Sequence, residues 1–292
     1  MKLTKNNYYG AKANAEYMSV SQYKNFSKCE AMAMAELKGE YSRPKSDALL
    51  LGSFVDEMLT GTKKSQIKFV ADNYSDIFQK SSKIYVAMNK LENAKSRIAY
   101  VGDYYTDIFD SENKPYATIA QALETIDRIK KQPLMMQHLG GKHQTIMAGK
   151  IAGVPFKIKM DSYHPNAIIV DLKYMSSLRS PNLFEPMVKY WGYDIQGAVY
   201  QEIVYQNTGK LLPFYLVVGT KEKPAHLAIA EIKQYDLDDA LQQVKKNAPR
   251  YQAIKKGKIE PERCEDYDCN YCTETVLITK PVDSNFLGLP KR

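Results

Sequence analysis

The sequence predicts an α/β fold, with one mixed central β-sheet flanked by helices. Three observations predict it. Residues 143–151, 154–162 and 167–174 read as consecutive strands. In them Lys157, Lys159 and Asp161 alternate with apolar residues, as do Asp171 and Lys173, so each set shares a strand face. Residues 187–207 read as a helix with Ile195, Val199 and Ile203 on its apolar stripe, and strands at 212–220 and 225–233 follow around the turn Lys221-Glu-Lys-Pro224.

The remaining elements follow in order. Residues 1–14 read as a loose leader. Ser19-x-x-Gln22 is a capping-box pattern that opens one helix running to about Leu37, ended by Lys38-Gly39 and Pro44. Residues 47–60 form a second helix, and 74–139 are mostly helical. His164-Pro-Asn166 turns the second strand into the third. Residues 176–186, rich in Ser, Pro and Asn, read as a loop. A helix spans about 235–256, and a cysteine-bearing segment closes the pattern. No linker composition interrupts the chain. We therefore expect a single domain over 1–292, with an N-terminal helical region (15–140), a core (141–235) and a C-terminal helix plus cysteine segment (236–280).

Composition narrows the function. A 44% hydrophobic content in 292 residues supports a packed core. The longest apolar runs are short, as in Ala48-Leu-Leu-Leu51, which excludes a spanning helix and a membrane role. A net charge of +8 suggests a polyanionic partner. Basic groups gather at Arg128–Lys131, Lys245-Lys246 and Lys255-Lys256-Gly-Lys258, the last being the best candidate for phosphate contact. Tyr rings, 22 in number, can stack on unpaired bases, although most should be ordinary partly buried rings. The histidines His138, His143, His164 and His226 show no ligand spacing and read as structural.

The chemistry concentrates on two strands. In a hairpin centred on residues 164–166, Asp161 falls nearly opposite Asp171. Two facing carboxylates repel unless a cation sits between them. Mg²⁺ prefers such hard oxygen ligands, and a bound cation polarises phosphate and acidifies water. Lys173, two residues on, can orient that water or meet charge developing in the transition state. Solvated charges on a surface hairpin are the plainer alternative. Two flanking helices add to the pattern. Gly52 and Asp56 are four apart and share a helix face, where glycine would allow close approach to a sheet. Gln196 and Tyr200 are likewise four apart.

The order Gly52-xxx-Asp56, Asp161, Asp171-x-Lys173, Gln196-xxx-Tyr200 resembles the PD-(D/E)xK nuclease superfamily, and within it the RecB-like branch. Asp56 stands where that branch usually has histidine. The Ser19-Val-Ser-Gln-Tyr-Lys-Asn-Phe26 opening and the cysteine-rich end look like the phage and prophage exonuclease-VIII-like (RecE-like) proteins. The resemblance implies a restriction-endonuclease-like core. It implies catalytic roles for Asp161, Asp171, Lys173, Gln196 and Tyr200. It implies Mg²⁺ or Mn²⁺ held by Asp56, Asp161, Asp171 and the carbonyl of Leu172. It further implies 5′-to-3′ degradation of double-stranded DNA ends, a single-strand annealing partner, a possible homo-oligomeric ring and action in the bacterial cytoplasm. The alternatives are an endonuclease or single-strand nuclease of the iron–sulfur group, and a non-catalytic DNA-binding protein on the same fold.

Cys29 stands far from Cys264, Cys269 and Cys272 in sequence. Four thiolates can hold zinc or an iron–sulfur cluster. Related RecB-like nucleases hold a [4Fe–4S] cluster with one N-terminal and three C-terminal cysteines, so the resemblance implies such a cluster, with Zn²⁺ as the alternative. Cys29 could also be a plain buried thiol beside Phe26 and Ala33. No signal peptide is recognisable, and a reducing compartment makes disulfides the weaker reading.

Overall fold

The computed structural model describes residues 1–44, 47–264 and 269–277. Parts of the expected C-terminal segment, 265–268 and 278–280, lie outside these residues. Five strands form one sheet in the order β1-β2-β3-β4-β5. They are Lys142–Ile151, Val154–His164, Ile168–Met175, Phe214–Thr220 and Leu227–Ile232. Only β3 and β4 pair in parallel, and the other neighbours are antiparallel. The sheet is therefore mixed, as the strand–helix–strand order between residues 168 and 220 requires.

Strand alternation divides the sheet into two cores. Phe214, Leu216 and Val218 face one side, where they pack with the helices α2 (Val20–Lys28), α11 (Tyr193–Thr208) and α12 (Gln234–Lys255). Val170, Leu172 and Val217 face the other, under α4 (Asp47–Thr60), α5 (Lys63–Ile77), α8 (Ala117–Lys130) and α9 (Pro133–Leu139). Each fully buried side chain of this size contributes about 1.5–3 kcal/mol. Helix α11 seats closely at Gly197, where an added Cβ would lie 2.7 Å from the side chains of Leu237 and Phe214. The remaining described helices are α1 (Ala11–Glu16), α3 (Glu30–Lys38), α6 (Lys83–Asn89), α7 (Ala94–Asp103), α10 (Met187–Tyr190) and α13 (Asn270–Glu274). None of the helices is long and apolar enough to cross a membrane.

Several expectations change. The helix expected over 19–37 is two helices, broken at Cys29, whose extended backbone (φ −162°, ψ 111°) ends α2 and caps α3. The capping box is half formed. Ser19 Oγ accepts from Gln22 N at 3.2 Å, but Gln22 turns its side chain to Asn14 O and Lys255 instead. The helix expected over 187–207 is likewise split, because Gly192 adopts a left-handed conformation (φ 62°) against Lys24. The leader is not loose. It contains α1, and Tyr8 is buried with its hydroxyl donating to Lys157 O at 3.3 Å. The buried ammonium of Lys157 needs oxygen partners, and Tyr8 O and Asn14 Oδ1 supply them. Lys255 does the same work and is not a surface phosphate contact. Its Nζ donates to Asn14 O, Tyr17 O and Gln22 Oε1 at 2.8–2.9 Å.

Candidate active site

The site begins where β2 and β3 part. Their ladder runs from His164↔Ile168 to Ser162↔Val170 and stops there. The next residues outward are Asp161 and Asp171, which stand at the crotch of the fork. Backbone groups freed by the split find new partners, as buried backbone must. Asp161 Oδ2 accepts from Leu172 N at 3.0 Å. Further along β2, Met18 inserts as a single parallel bridge, with its N bonded to Pro155 O and its O to Lys157 N. The leader thus fills the open end of the fork.

A cleft of about 940 Å³ opens over this fork. Asp56, Asp161, Asp171, Lys173, Gln196 and Tyr200 all line it. Lys173 Nζ lies 2.5 Å from Asp171 Oδ2 and donates to Gln196 Oε1 at 3.0 Å. Gln196 Nε2 in turn donates to Asp171 Oδ1 at 2.6 Å, so one amide fixes both members of the pair. Tyr200 OH donates to Lys159 O at 2.9 Å, which ties α11 to β2. Asp56, on α4, accepts from Gln144 Nε2 at 2.9 Å and from Thr60 Oγ1 at 3.0 Å. Gly52 faces the cleft with nothing within 4 Å of an added Cβ. It keeps the cleft open and is not a close-packing contact, contrary to the sequence expectation.

The electrostatics follow from burial and crowding. Burial first, then the charges of Asp171 and Asp56, hold the Asp161 carboxyl well above the usual carboxylate range. Burial also raises Asp56, partly offset by the Thr60 hydrogen bond. Burial opposes the Lys173 ammonium, but Asp171 and Asp161 together outweigh it and the net shift is upward. Lys173 is therefore a cation at neutral pH.

The donor set fits a small divalent cation. Three carboxylates offer hard oxygens, and Asp171 Oδ2 is buried without a well-aligned hydrogen bond despite its ion contact with Lys173. Among the described residues, only Cys29, Cys264, Cys269 and Cys272 bring all their ligand atoms within 4.8 Å of one another. Cys29 Sγ is 3.5 Å from Cys272 Sγ, and Cys264 Sγ is 3.6 Å from Cys269 Sγ. Glu30 anchors this corner. It receives Arg250 through two bonds of 2.7 and 2.9 Å, and its Oε2 accepts from Glu262 N. Burial first, and then the neighbouring thiols, push Cys269 up to about 12. Burial also raises Cys272, whereas at Cys264 burial is outweighed by the hydrogen bonds from Cys269, Cys272 and Cys29, and the net shift is downward.

Three cleft residues were missed by the sequence reading. Gln144 orients Asp56 from a left-handed position (φ 53°) on β1, for which a glutamine carries no sequence signal. Lys24 lies 5.6 Å above the Tyr193 ring, which Lys173 approaches at 4.8 Å, and burial followed by Lys173 lowers Lys24 to about 8. Glu57 Oε1 is buried and accepts no hydrogen bond.

The raised Asp161 yields a stability prediction. A carboxyl with a folded pKa above its unfolded value of about 3.9 binds a proton on folding. Its stabilising contribution is present at low pH and lost as pH rises through the folded value. Asp161→Asn is expected to raise the melting temperature of metal-free protein at pH 7 and to change it little at pH 4. Ca²⁺ should raise the wild-type value at pH 7 more than that of the variant. Equal melting temperatures at pH 7 would show that this carboxylate is not strained.

A forked mixed sheet carrying Asp161 opposite Asp171-x-Lys173, braced by a glutamine from the next helix, defines a PD-(D/E)xK nuclease. The chain belongs to the family described as the PDDEXK-like domain of unknown function (DUF3799), which matches residues 19–275. It is also similar to a Eubacterium rectale protein, provisionally named an exonuclease, whose crystal structure was determined at 2.19 Å. The two share 37% sequence identity at a TM-score of 0.80, over 99% of this chain and 100% of that one. No curated protein matches the chain.

Proposed function

We propose that this nuclease is a divalent-metal-dependent exodeoxyribonuclease that degrades double-stranded DNA ends 5′ to 3′, leaving 3′ overhangs for phage-type recombination. The observation that carries the reading is the fork, which sets Asp161, Asp171 and Lys173 together on the wall of one cleft. In this reading Asp161 and Asp171 hold Mg²⁺ or Mn²⁺, helped by Asp56 and the carbonyl of Leu172. The bound cation supplies charge neutralisation on the phosphate and a more acidic water. Lys173, as an ammonium, orients the attacking water and meets negative charge that develops on the phosphate. Gln196 keeps Asp171 and Lys173 in register, and Tyr200 holds β2 in place through Lys159 O.

The name of the E. rectale relative supports the exonuclease mode. The resemblance of the Ser19–Phe26 opening and the cysteine-rich end to RecE-like proteins supports the reading of a single-strand annealing partner, a homo-oligomer and a bacterial cytoplasmic setting. We read residues 15–140, 141–235 and 236–280 as parts of one nuclease domain. For the four cysteines we propose a structural [4Fe–4S] cluster. A specific observation favours zinc as the second reading. Two sulfur pairs at 3.5–3.6 Å, with all four sulfurs within 4.8 Å of one another, lie near the roughly 3.8 Å edge of a tetrahedron around one ion with bonds of about 2.3 Å. A cluster, whose thiolates each bind a different iron, requires the sulfurs to spread.

End-labelled DNA tests the mode. With Mg²⁺, linear duplex should release 5′ label early and retain 3′ label, while closed circles stay intact and EDTA stops the reaction. Early 3′ release would remove the RecE-like assignment. Rapid nicking of circles would favour an endonuclease. No cleavage with Mg²⁺ or Mn²⁺ would favour a non-catalytic DNA-binding role.

A further inference from the structure

The leader that seals the fork also presents an aromatic ring to the cleft. Tyr9 is 68% exposed and lines the cleft with Asp161, Asp171 and Lys173. The chain on both sides of it is fixed by buried contacts. Tyr8 is only 6% exposed, and its carbonyl receives the Lys157 ammonium. Asn14 and Tyr17 give their carbonyls to Lys255, and Met18 is bridged to Phe156. Tyr9 is thus an exposed ring on a backbone that is already ordered, so a ligand meeting it need not pay to fix the segment.

A cation sits with that ring. Lys159 Nζ lies 4.6 Å from the Tyr9 centroid and 5.9 Å from that of Tyr8. Lys159 is two residues before Asp161 on β2 and also lines the cleft. Among the described residues it makes no ion pair, although its charge is felt at Asp56. The Lys159 ammonium lies over one face of the exposed Tyr9 ring next to the acidic fork, and the ring's other face and the ammonium match the two parts of one nucleotide. Ring faces attract unpaired bases and ammonium groups attract the phosphate backbone. A paired base has both faces covered inside the duplex, so the ring selects a nucleotide that has left it.

We infer that Tyr9 is a stacking platform for an unpaired base of the strand being cut, with Lys159 meeting that nucleotide's phosphate. The inference rests on the nuclease reading and names the substrate of that cleft as a separated strand end. Binding tests it directly. The probes are a fluorescein-labelled 12-nucleotide single strand and a labelled, covalently closed circular duplex, which offers no unpaired bases, each with Ca²⁺ in place of Mg²⁺. Tyr9→Ala should weaken binding of the single strand about tenfold, the size expected of one lost base–aromatic stack. Tyr9→Phe should bind as wild type, because the ring and not the hydroxyl does the work. Lys159→Ala should weaken the same complex and flatten its salt dependence by about one phosphate contact. The closed duplex should be insensitive to Tyr9→Ala. Unchanged single-strand affinity in Tyr9→Ala, or equal losses on the closed duplex, would overturn the inference. Tyr9 is largely exposed, so a folding defect is not expected, and an unchanged melting temperature checks this. If Tyr9→Ala binds and cuts as wild type does, only this inference fails. If the wild type neither binds nor cuts DNA, the nuclease reading itself fails.

Discussion

Asp171→Ala is expected to abolish DNA hydrolysis while leaving the fold and DNA-end binding intact. Asp171 sits at the fork, 2.5 Å from Lys173 Nζ and 2.6 Å from Gln196 Nε2. Its loss removes the proposed cation ligand and frees both partners at once. Lys173→Ala removes the ammonium that the two acids hold charged. Each loss should cost about 10²-fold or more in rate, the usual scale for a metal ligand or a charge-stabilising donor. The two effects should not add, because Asp171, Lys173 and Gln196 form one hydrogen-bonded unit. Gln196→Ala is expected to lower the rate less, since it orients the pair without carrying its charge. Steady-state rates on end-labelled duplex, with melting temperatures alongside, check these values. Near wild-type cleavage by either Asp171→Ala or Lys173→Ala would place the active site elsewhere.

Cys29→Ser is expected to produce the largest stability loss of any single substitution outside the cores. A metal centre joining Cys29 to Cys264 closes most of the chain into one loop. By the entropy argument used for long-loop crosslinks, that closure is worth of order 4–5 kcal/mol. Cys269→Ser should match it, since either change opens the site. Protein purified without oxygen should be brown and contain iron and sulfide. A colourless protein holding one zinc would replace the cluster with a zinc staple. Metal-free protein with a stability insensitive to both substitutions would end the idea. Cys29 Sγ also accepts from Met32 N at the start of α3. A serine oxygen can keep that cap, so the loss should report the metal site and not the helix end.

Much of the site could be read in the sequence because it lies on local patterns. Strand alternation with a turn at residues 164–166 puts Asp161 against Asp171 by counting alone. Four-residue spacing places Gln196 and Tyr200 on one face of α11. Those rules hold over about ten residues and do not depend on what packs above them. Other features fail locally. The 19–37 segment has helical spacing throughout, yet it is broken at Cys29, whose sulfur lies 3.5 Å from that of Cys272 near the far end of the chain. The leader reads as unstructured because its fixing partners, Lys157 and Lys255, lie some 150 and 240 positions away. A buried ammonium costs several kcal/mol unless oxygens surround it, and that cost, invisible in the segment itself, is what orders residues 8–18.

By itself, the sequence determined the α/β class, the strand sequence of the sheet, the acidic pair with its lysine and the count of four cysteines. Tertiary structure alone decided that β2 and β3 part beyond Ser162, that Met18 enters the gap, that Gln144 turns to Asp56 and that Tyr9 faces the cleft. The reason is one of range. Periodicity fixes which face of an element a residue occupies. Whether two strands stay paired depends on buried charges and backbone groups that only the assembled fold can satisfy.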